Sequence, residues 1–271
     1  MNAQTKIKRK NDELKFVCVG LDTDIKKIPQ FILQEKDPIY FFNKKIIEAT
    51  REHTAAYKIN FAFYEVFGSY GFEMIRKTLE EIPDDILIIA DAKRGDIGNT
   101  SEMYAKSIYE HFRFDSVTLN PYMGFDSLEP FINYKDKLNF ILGLTSNPGA
   151  NDIEKVELKD GRKIFQMVID KILEWNRINN NCGIVFGATN SVELNQNISR
   201  MKNCFVLLPG AGKQGGSFEE IVKIFYAFQR KDFLVNMSRS IIYSNETTLF
   251  DKSAEEEIIK LNQQARFIYN N

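Results

Sequence analysis

Cysteine is scarce in this chain of 271 residues: Cys18, Cys182 and Cys204 are the only three, and none stands in a Cys-x-x-Cys spacing. An odd number of thiols set in apolar runs argues against a disulfide framework or a cysteine-based zinc site and fits a reducing compartment. The three read as small buried hydrophobes. Histidine is scarcer still, and two isolated histidines, His53 and His111, do not make a metal site. Neither sign of charge is in excess, with 36 Lys plus Arg against 37 Asp plus Glu. No global field therefore draws nucleic acid or an anionic membrane, and any anionic ligand has to be held by a local cluster of donors. No uninterrupted run of about 18 apolar residues offers a membrane span. The opening MNAQTKIKRKNDELK is basic but lacks the apolar core of a signal peptide. The expectation is a soluble, cytoplasmic protein with no nucleic-acid or membrane partner, no metal and no cofactor.

What is present is a repeated alternation. Short, continuous apolar runs occur at Phe16–Gly20, Ala55–Ile59, Ile86–Ala90, Ser116–Leu119, Phe140–Leu144, Gly183–Phe186, Cys204–Leu208 and Phe233–Asn236. Continuous rather than alternating apolarity is the mark of parallel strands covered on both faces. Helical patterns fall between them. Residues 160–176 place Ile164, Met167, Val168, Ile172 and Trp175 at helical intervals, and residues 217–229 open on Ser217 with Glu219 and Glu220 behind it, an N-terminal cap. Strand then helix, eight times over, predicts an α/β protein, a (β/α)8 barrel of a single domain over residues 1–271. A short polar N-terminal arm is expected at about residues 1–13, with Lys6-Ile7-Lys8-Arg9-Lys10 solvated. Residues 148–160 and 242–253 read as polar connections. His53 and His111 read as surface or packing residues on helices, and Trp175 as core.

In such a barrel, chemistry gathers at the carboxyl ends of the strands. The unusual polar residues fall there. The first strand ends in Asp22, the second in Lys58-Ile59-Asn60, and the third runs into Asp91-Ala92-Lys93-Arg94-Gly95-Asp96-Ile97-Gly98-Asn99-Thr100. Alternation along a strand puts Asp91 and Lys93 on one face, with Lys58 next door to hold Asp91. Two carboxylates, Asp91 and Asp96, around one ammonium keep Lys93 charged, a proton donor and not an amine nucleophile. An ion-pair ladder kept for stability alone is the competing reading, disfavoured because desolvation offsets much of the attraction. The fourth strand gives Asn120-Pro121-Tyr122-Met123-Gly124 and the fifth Thr145-Ser146-Asn147-Pro148. The seventh gives Pro209-Gly210-Ala211-Gly212-Lys213-Gln214-Gly215-Gly216, a turn whose N–H groups are expected to be free for phosphate oxygens, and the eighth brings Arg239, a bidentate phosphate donor.

The run from Asp91 to Thr100 resembles the Asp-x-Lys-x-x-Asp signature of the orotidine 5'-phosphate decarboxylases. Val19–Asp22, Lys58–Glu65, Asn120–Gly124, Thr145–Pro148, Pro209–Gly216 and Ser238–Tyr243 are similar to the family's other strand ends, in order, over roughly residues 14 to 244. The resemblance implies a cofactor-independent homodimer with shared active sites that converts orotidine 5'-phosphate to UMP. Lys93 would protonate C6 of the pyrimidine as carbon dioxide leaves, with Asp91 beside the departing carboxylate and Lys58 completing the charged row. Asp96, Ile97 and Thr100 would reach into the other subunit's site. Asp22 and Asn120 would contact the ribose or the reacting region, Ser146 the pyrimidine edge, and Gln214 and Arg239 the 5'-phosphate, with Pro209 among the substrate contacts. The seventh-strand loop lacks the longer form of other branches.

Loss of carbon dioxide from C6 leaves a carbanion with no adjacent electron sink, so the charge of Lys93 has to stabilise the transition state more than the ground state. Phosphate binding energy would close the seventh-strand loop over the site. Three rivals remain. A magnesium-dependent 3-keto-L-gulonate 6-phosphate decarboxylase shares the Asp-x-Lys-x-x-Asp motif. A Schiff-base aldolase uses the same barrel, but a lysine flanked by carboxylates is a poor amine nucleophile. A nucleotide-binding barrel without chemistry would bind UMP and turn nothing over.

Overall fold

The eight apolar runs become β1 (Val17–Gly20), β2 (Ala56–Asn60), β3 (Leu87–Arg94), β4 (Ser116–Leu119), β5 (Leu138–Leu144), β6 (Cys182–Phe186), β7 (Val206–Pro209) and β8 (Phe233–Met237). All pair in parallel in chain order, and β1 closes on β8. The computed structural model that gives this arrangement describes residues 1–212 and 215–271. The helices are α1 (Ala3–Asp12), α2 (Pro38–Thr50), α3 (Ala62–Glu65), α4 (Ser69–Glu80), α5 (Gly98–Lys106), α6 (Glu129–Ile132), α7 (Ile164–Asn179), α8 (Ser191–Asn197), α9 (Phe218–Ala227), α10 (Arg239–Ile242) and α11 (Phe250–Asn270). The expected (β/α)8 barrel is thus the fold. Each strand starts within two residues of its apolar run; β3 runs on to Arg94, well past Ala90.

Two shells of packing hold the barrel. The outer shell sets Phe16, Val17, Ile59, Ala90, Val117, Ile141, Ile184 and Val235 against the helices. The inner shell fills the barrel with Cys18, Ala56, Leu87, Ile89, Leu138, Phe140, Val185, Leu207 and Leu234. Because side chains alternate along a strand, the inner positions continue upward in parity to Lys58 on β2, Asp91 on β3, Thr118 on β4 and Asn236 on β8. The same period that packs the interior therefore aims these polar groups into the barrel mouth. The three cysteines are buried and free, and burial pushes each thiol up to about 12.

Ser217 caps α9, accepting from the Glu220 N–H at 3.3 Å. Helix α7 starts later than residue 160 because Glu157 and Lys163 first pair as an antiparallel bridge. The connection at 242–253 is shorter than expected, since Phe250 opens α11 stacked on Phe42. His53 lies off the expected helix, in the turn between α2 and β2, and His111 ends a short helical turn after α5, both away from the carboxyl ends of the strands. Trp175 is partly buried against Phe125.

The largest correction is at the N-terminus. Residues 3–12 are not a solvated arm but a helix that stoppers the amino end of the barrel. Ile7 is fully buried in the inner shell together with Ala3. Lys6 Nζ reaches Asp115 at 2.8 Å, and Lys10 Nζ reaches Asp85 at 2.8 Å. Asn11 donates to the Phe233 carbonyl at 3.1 Å. Two of the three lysines that make the segment look soluble, Lys6 and Lys10, are spent on carboxylates below the barrel, while Lys8 and Arg9 stay exposed as expected.

Candidate active site

Lys58 projects from β2 into the barrel and is almost fully buried. Its Nζ donates to Asp91 Oδ2 at 2.6 Å and stands 3.8 Å from Asp22 Oδ1. Lys93 Nζ donates to the other oxygen, Asp91 Oδ1, at 2.7 Å. Thr118 Oγ1 adds a third donor to that carboxylate at 2.9 Å. Burial disfavours ionisation of Asp91, but the two ammoniums and their hydrogen bonds outweigh it and hold the carboxyl well below the usual range. Burial likewise disfavours the Lys58 ammonium, and the Asp91 and Asp22 carboxylates outweigh it and push its pKa up. The row is therefore Asp22, Lys58, Asp91, Lys93 with alternating sign, each charge compensated by the next.

Lys93 reaches this place by an unexpected route. The pairing of β3 with β4 loses register between Ala90 and Arg94, and Lys93 sits at φ +45°, in the left-handed region. Plain alternation does not carry Lys93 to Asp91; a bulge does. Asp96 does not flank Lys93 within the chain. Its carboxylate accepts from the Ile97 N–H at 2.8 Å, and among the described residues Lys93 has one acidic partner, Asp91.

Two adjoining cavities share Lys58, Asp91, Ser146 and Pro209 as a common wall. The smaller, about 240 Å³, is lined also by Lys93, Thr118, Leu142, Val185 and Leu207. Its mixture of a charged wall and an aliphatic floor suits a flat ring. The larger, about 610 Å³, extends past Asp22 to the β7 turn and the start of α10, where Arg239 stands with Ser238, Ser240 and Ser244. Among the described residues Arg239 has no ion-pair partner, and the buried oxygens of Asn236, Ser240 and Ser244 find no hydrogen-bond partner. Tyr243 ties this end to the first strand's loop, its hydroxyl accepting from the Asp24 N–H at 2.7 Å.

The β7 turn departs from expectation. Gly212, Gly215 and Gly216 donate their N–H groups within the turn itself, to Gly216, Gly212 and Gly210 carbonyls, so these three are not free for an anion. The glycines serve shape: a Cβ on Gly216 would lie 2.0 Å from the Ala188 carbonyl oxygen, and Gly210 holds φ +88°. Gln214 lies outside the described residues. Asn120 is exposed and turned away, its Oδ1 accepting from the Tyr122 N–H at 3.1 Å. Ile97, 60% exposed, and Thr100 stand on the outer rim and line neither cavity. Thr118 is a member that sequence reasoning missed. The signal was its parity with buried Ser116 and its place at the strand end.

A closed barrel with ionised groups at the carboxyl ends of its strands, and beyond them a guanidinium unpaired among the described residues, defines a TIM-barrel enzyme for a small anionic substrate. The family model described as Orotidine 5'-phosphate decarboxylase / HUMPS family matches residues 15–248, and the chain belongs to that family. It is similar to the orotidine 5'-phosphate decarboxylase of Phocaeicola vulgatus, 45% identical over 268 residues that cover 97% of each chain. That of Porphyromonas gingivalis is 46% identical over 253 residues, 92% of this chain and 91% of the relative. Among solved structures, Leishmania donovani OMP decarboxylase superposes with TM-score 0.82 at 32% identity, covering 98% of this chain and 99% of the other.

Proposed function

We propose that the chain converts orotidine 5'-phosphate to UMP and carbon dioxide, the decarboxylation of pyrimidine nucleotide biosynthesis. The carrying observation is the Lys58–Asp91–Lys93 row, in which a carboxylate held ionised grips the ammonium of Lys93 at 2.7 Å where the two cavities meet. The pyrimidine occupies the smaller cavity with Ser146 at its edge, and the ribose lies by Asp22. The phosphate lies by Arg239, and Gln214 is its second proposed ligand. Pro209 forms the shared wall. Asn120 contacts the reacting region once its side chain turns inward.

Asp91 stands beside the C6 carboxylate and disfavours the ground state. As the C6–carboxylate bond breaks, its electron pair stays on C6 and carbon dioxide leaves. Lys93 stabilises that charge and then transfers a proton from Nζ to C6, giving UMP and a neutral amine that solvent reprotonates. Lys58 keeps Asp91 aimed. No step calls for a metal or cofactor. The relatives' names favour this substrate over a magnesium-dependent sugar-phosphate decarboxylation.

The working unit is a homodimer in the cytoplasm, with Asp96, Ile97 and Thr100 of one copy completing the other's site. Supporting this, Ile97 is 60% exposed on the rim, and Asp96 leaves its own Lys93 with a single carboxylate. Among the described residues no helix is long and apolar enough to cross a membrane. The test is the loss of orotidine 5'-phosphate absorbance by purified protein in EDTA, beside Lys93→Ala. Turnover that survives EDTA and falls at least about a thousandfold in the variant is expected, as befits the proton donor. Turnover abolished by EDTA, or retained by Lys93→Ala, overturns the reading.

A further inference from the structure

The bulge that delivers Lys93 is fastened by one side chain. Thr118 is 2% exposed on β4, and its hydroxyl does two things at once. Oγ1 accepts from the Lys93 backbone N–H at 3.0 Å and donates to Asp91 Oδ1 at 2.9 Å. A threonine hydroxyl has one proton to give and lone pairs to receive, so both bonds form together. The first replaces the ladder bond that the register shift between Ala90 and Arg94 takes from β3. A non-glycine residue at φ +45° persists only where its surroundings hold it. Backbone bonds pin the flanking residues, Phe61 N–H to the Asp91 carbonyl at 3.2 Å and Asn120 N–H to the Arg94 carbonyl at 2.8 Å, and at Lys93 itself the Thr118 hydroxyl takes the N–H. The second bond fixes the same carboxylate oxygen that Lys93 Nζ grips at 2.7 Å. Backbone and ammonium of Lys93 are thus both referred to one oxygen atom.

We propose that Thr118 is a positioning residue of the decarboxylation, locking the β3 bulge so that Lys93 Nζ meets the reacting carbon. This rests on the function proposed above, and it adds that the hydroxyl of Thr118, not its bulk, sets the geometry. Its only proton is committed to Asp91, so it acts through its neighbours and not on the substrate. Displacing a reacting group by about an ångström costs on the order of a hundredfold in rate.

Thr118→Val, of equal shape without the hydroxyl, should lower kcat by roughly ten- to a hundredfold while KM stays within about threefold. Thr118→Ser, which keeps the hydroxyl, should stay within about threefold of the parent in kcat. Should the valine variant fail to fold, Thr118→Ala removes hydroxyl and methyl together, and its difference from Thr118→Ser, which lacks the methyl alone, isolates the hydroxyl with the same expectation. A purely structural role predicts a lower melting temperature with kcat intact. That result overturns the proposal, as does a serine variant as slow as the valine one. A crystal structure of the valine or alanine variant provides a reading independent of turnover. Lys93 should leave the left-handed region and Nζ should leave Asp91. Unchanged Lys93 geometry refutes the lock even if the parent protein proves to act on another substrate, whereas absence of orotidine 5'-phosphate turnover in the parent refutes the functional reading alone.

Discussion

Arg239 is the residue whose surroundings differ most from those of the other charges at the barrel mouth. Lys58, Asp91 and Lys93 neutralise one another at 2.6 and 2.7 Å. Arg239 opens α10 at the far end of the larger cavity, exposed and, among the described residues, without a carboxylate. A planar guanidinium in that state is suited to a phosphoryl group. Arg239→Ala should therefore reduce kcat/KM for orotidine 5'-phosphate by roughly ten- to a hundredfold, the value of one to two charge-assisted hydrogen bonds. Orotidine, which has no phosphate, should be turned over by parent and variant alike at its own slow rate. Equal loss on both substrates, measured in parallel steady-state assays, would make Arg239 structural and move the phosphate site elsewhere.

At the level of elements, β1 to β8 were legible because a strand buried on both faces has to be apolar throughout, and little else in a chain of this composition is. The charged row was legible because Lys58, Asp91 and Lys93 are costly to bury and sit where strands end. Helix α1 was not. Its buried positions, Ala3, Lys6, Ile7, Lys10 and Asn11, follow helical spacing, but two are lysines, and their partners Asp115 and Asp85 lie far along the chain. The conformation of Lys93 and the two hydrogen bonds of the Thr118 hydroxyl were hidden for a related reason, since a bulge arises from the pairing of two strands and not from either alone. Lys6 offers a test of α1. Its ammonium and Asp115 are both largely buried, and Asp115 also accepts from the Ile88 N–H at 3.0 Å. Lys6→Ala strands that carboxylate and should cost about 3 kcal/mol, which is about 6 °C or more in melting temperature for a domain of this size. Exposed Lys8→Ala should change stability by less than about 0.5 kcal/mol. Both should keep the parent kcat, because α1 stoppers the end of the barrel opposite the site. Equal melting temperatures for the two variants, by calorimetry, would return the segment to solvent.

For the molecule as a whole, the open question is where the second carboxylate of the Asp-x-Lys-x-x-Asp motif acts. Within one chain Asp96 is turned to its own backbone, 2.8 Å from the Ile97 N–H, on a rim that exposes Ile97, Met103, Tyr122 and Met123. If two copies meet at that rim, each site takes Lys93 from one subunit and Asp96 from the other. Lys93→Ala and Asp96→Ala should then be nearly inactive when assayed separately. Mixed in equal amounts and allowed to exchange subunits, they form a heterodimer in which one site carries both lesions and the other carries neither. Random pairing makes about half of the dimers mixed, each with one intact site of two, so activity should rise to about a quarter of the parent value. Sedimentation would establish the two-subunit assembly, and mass spectrometry of differently tagged variants would establish exchange. Activity that remains at the level of the separate variants despite exchange would mean that Asp96 serves its own subunit, after a movement that brings its carboxylate inward to Lys93.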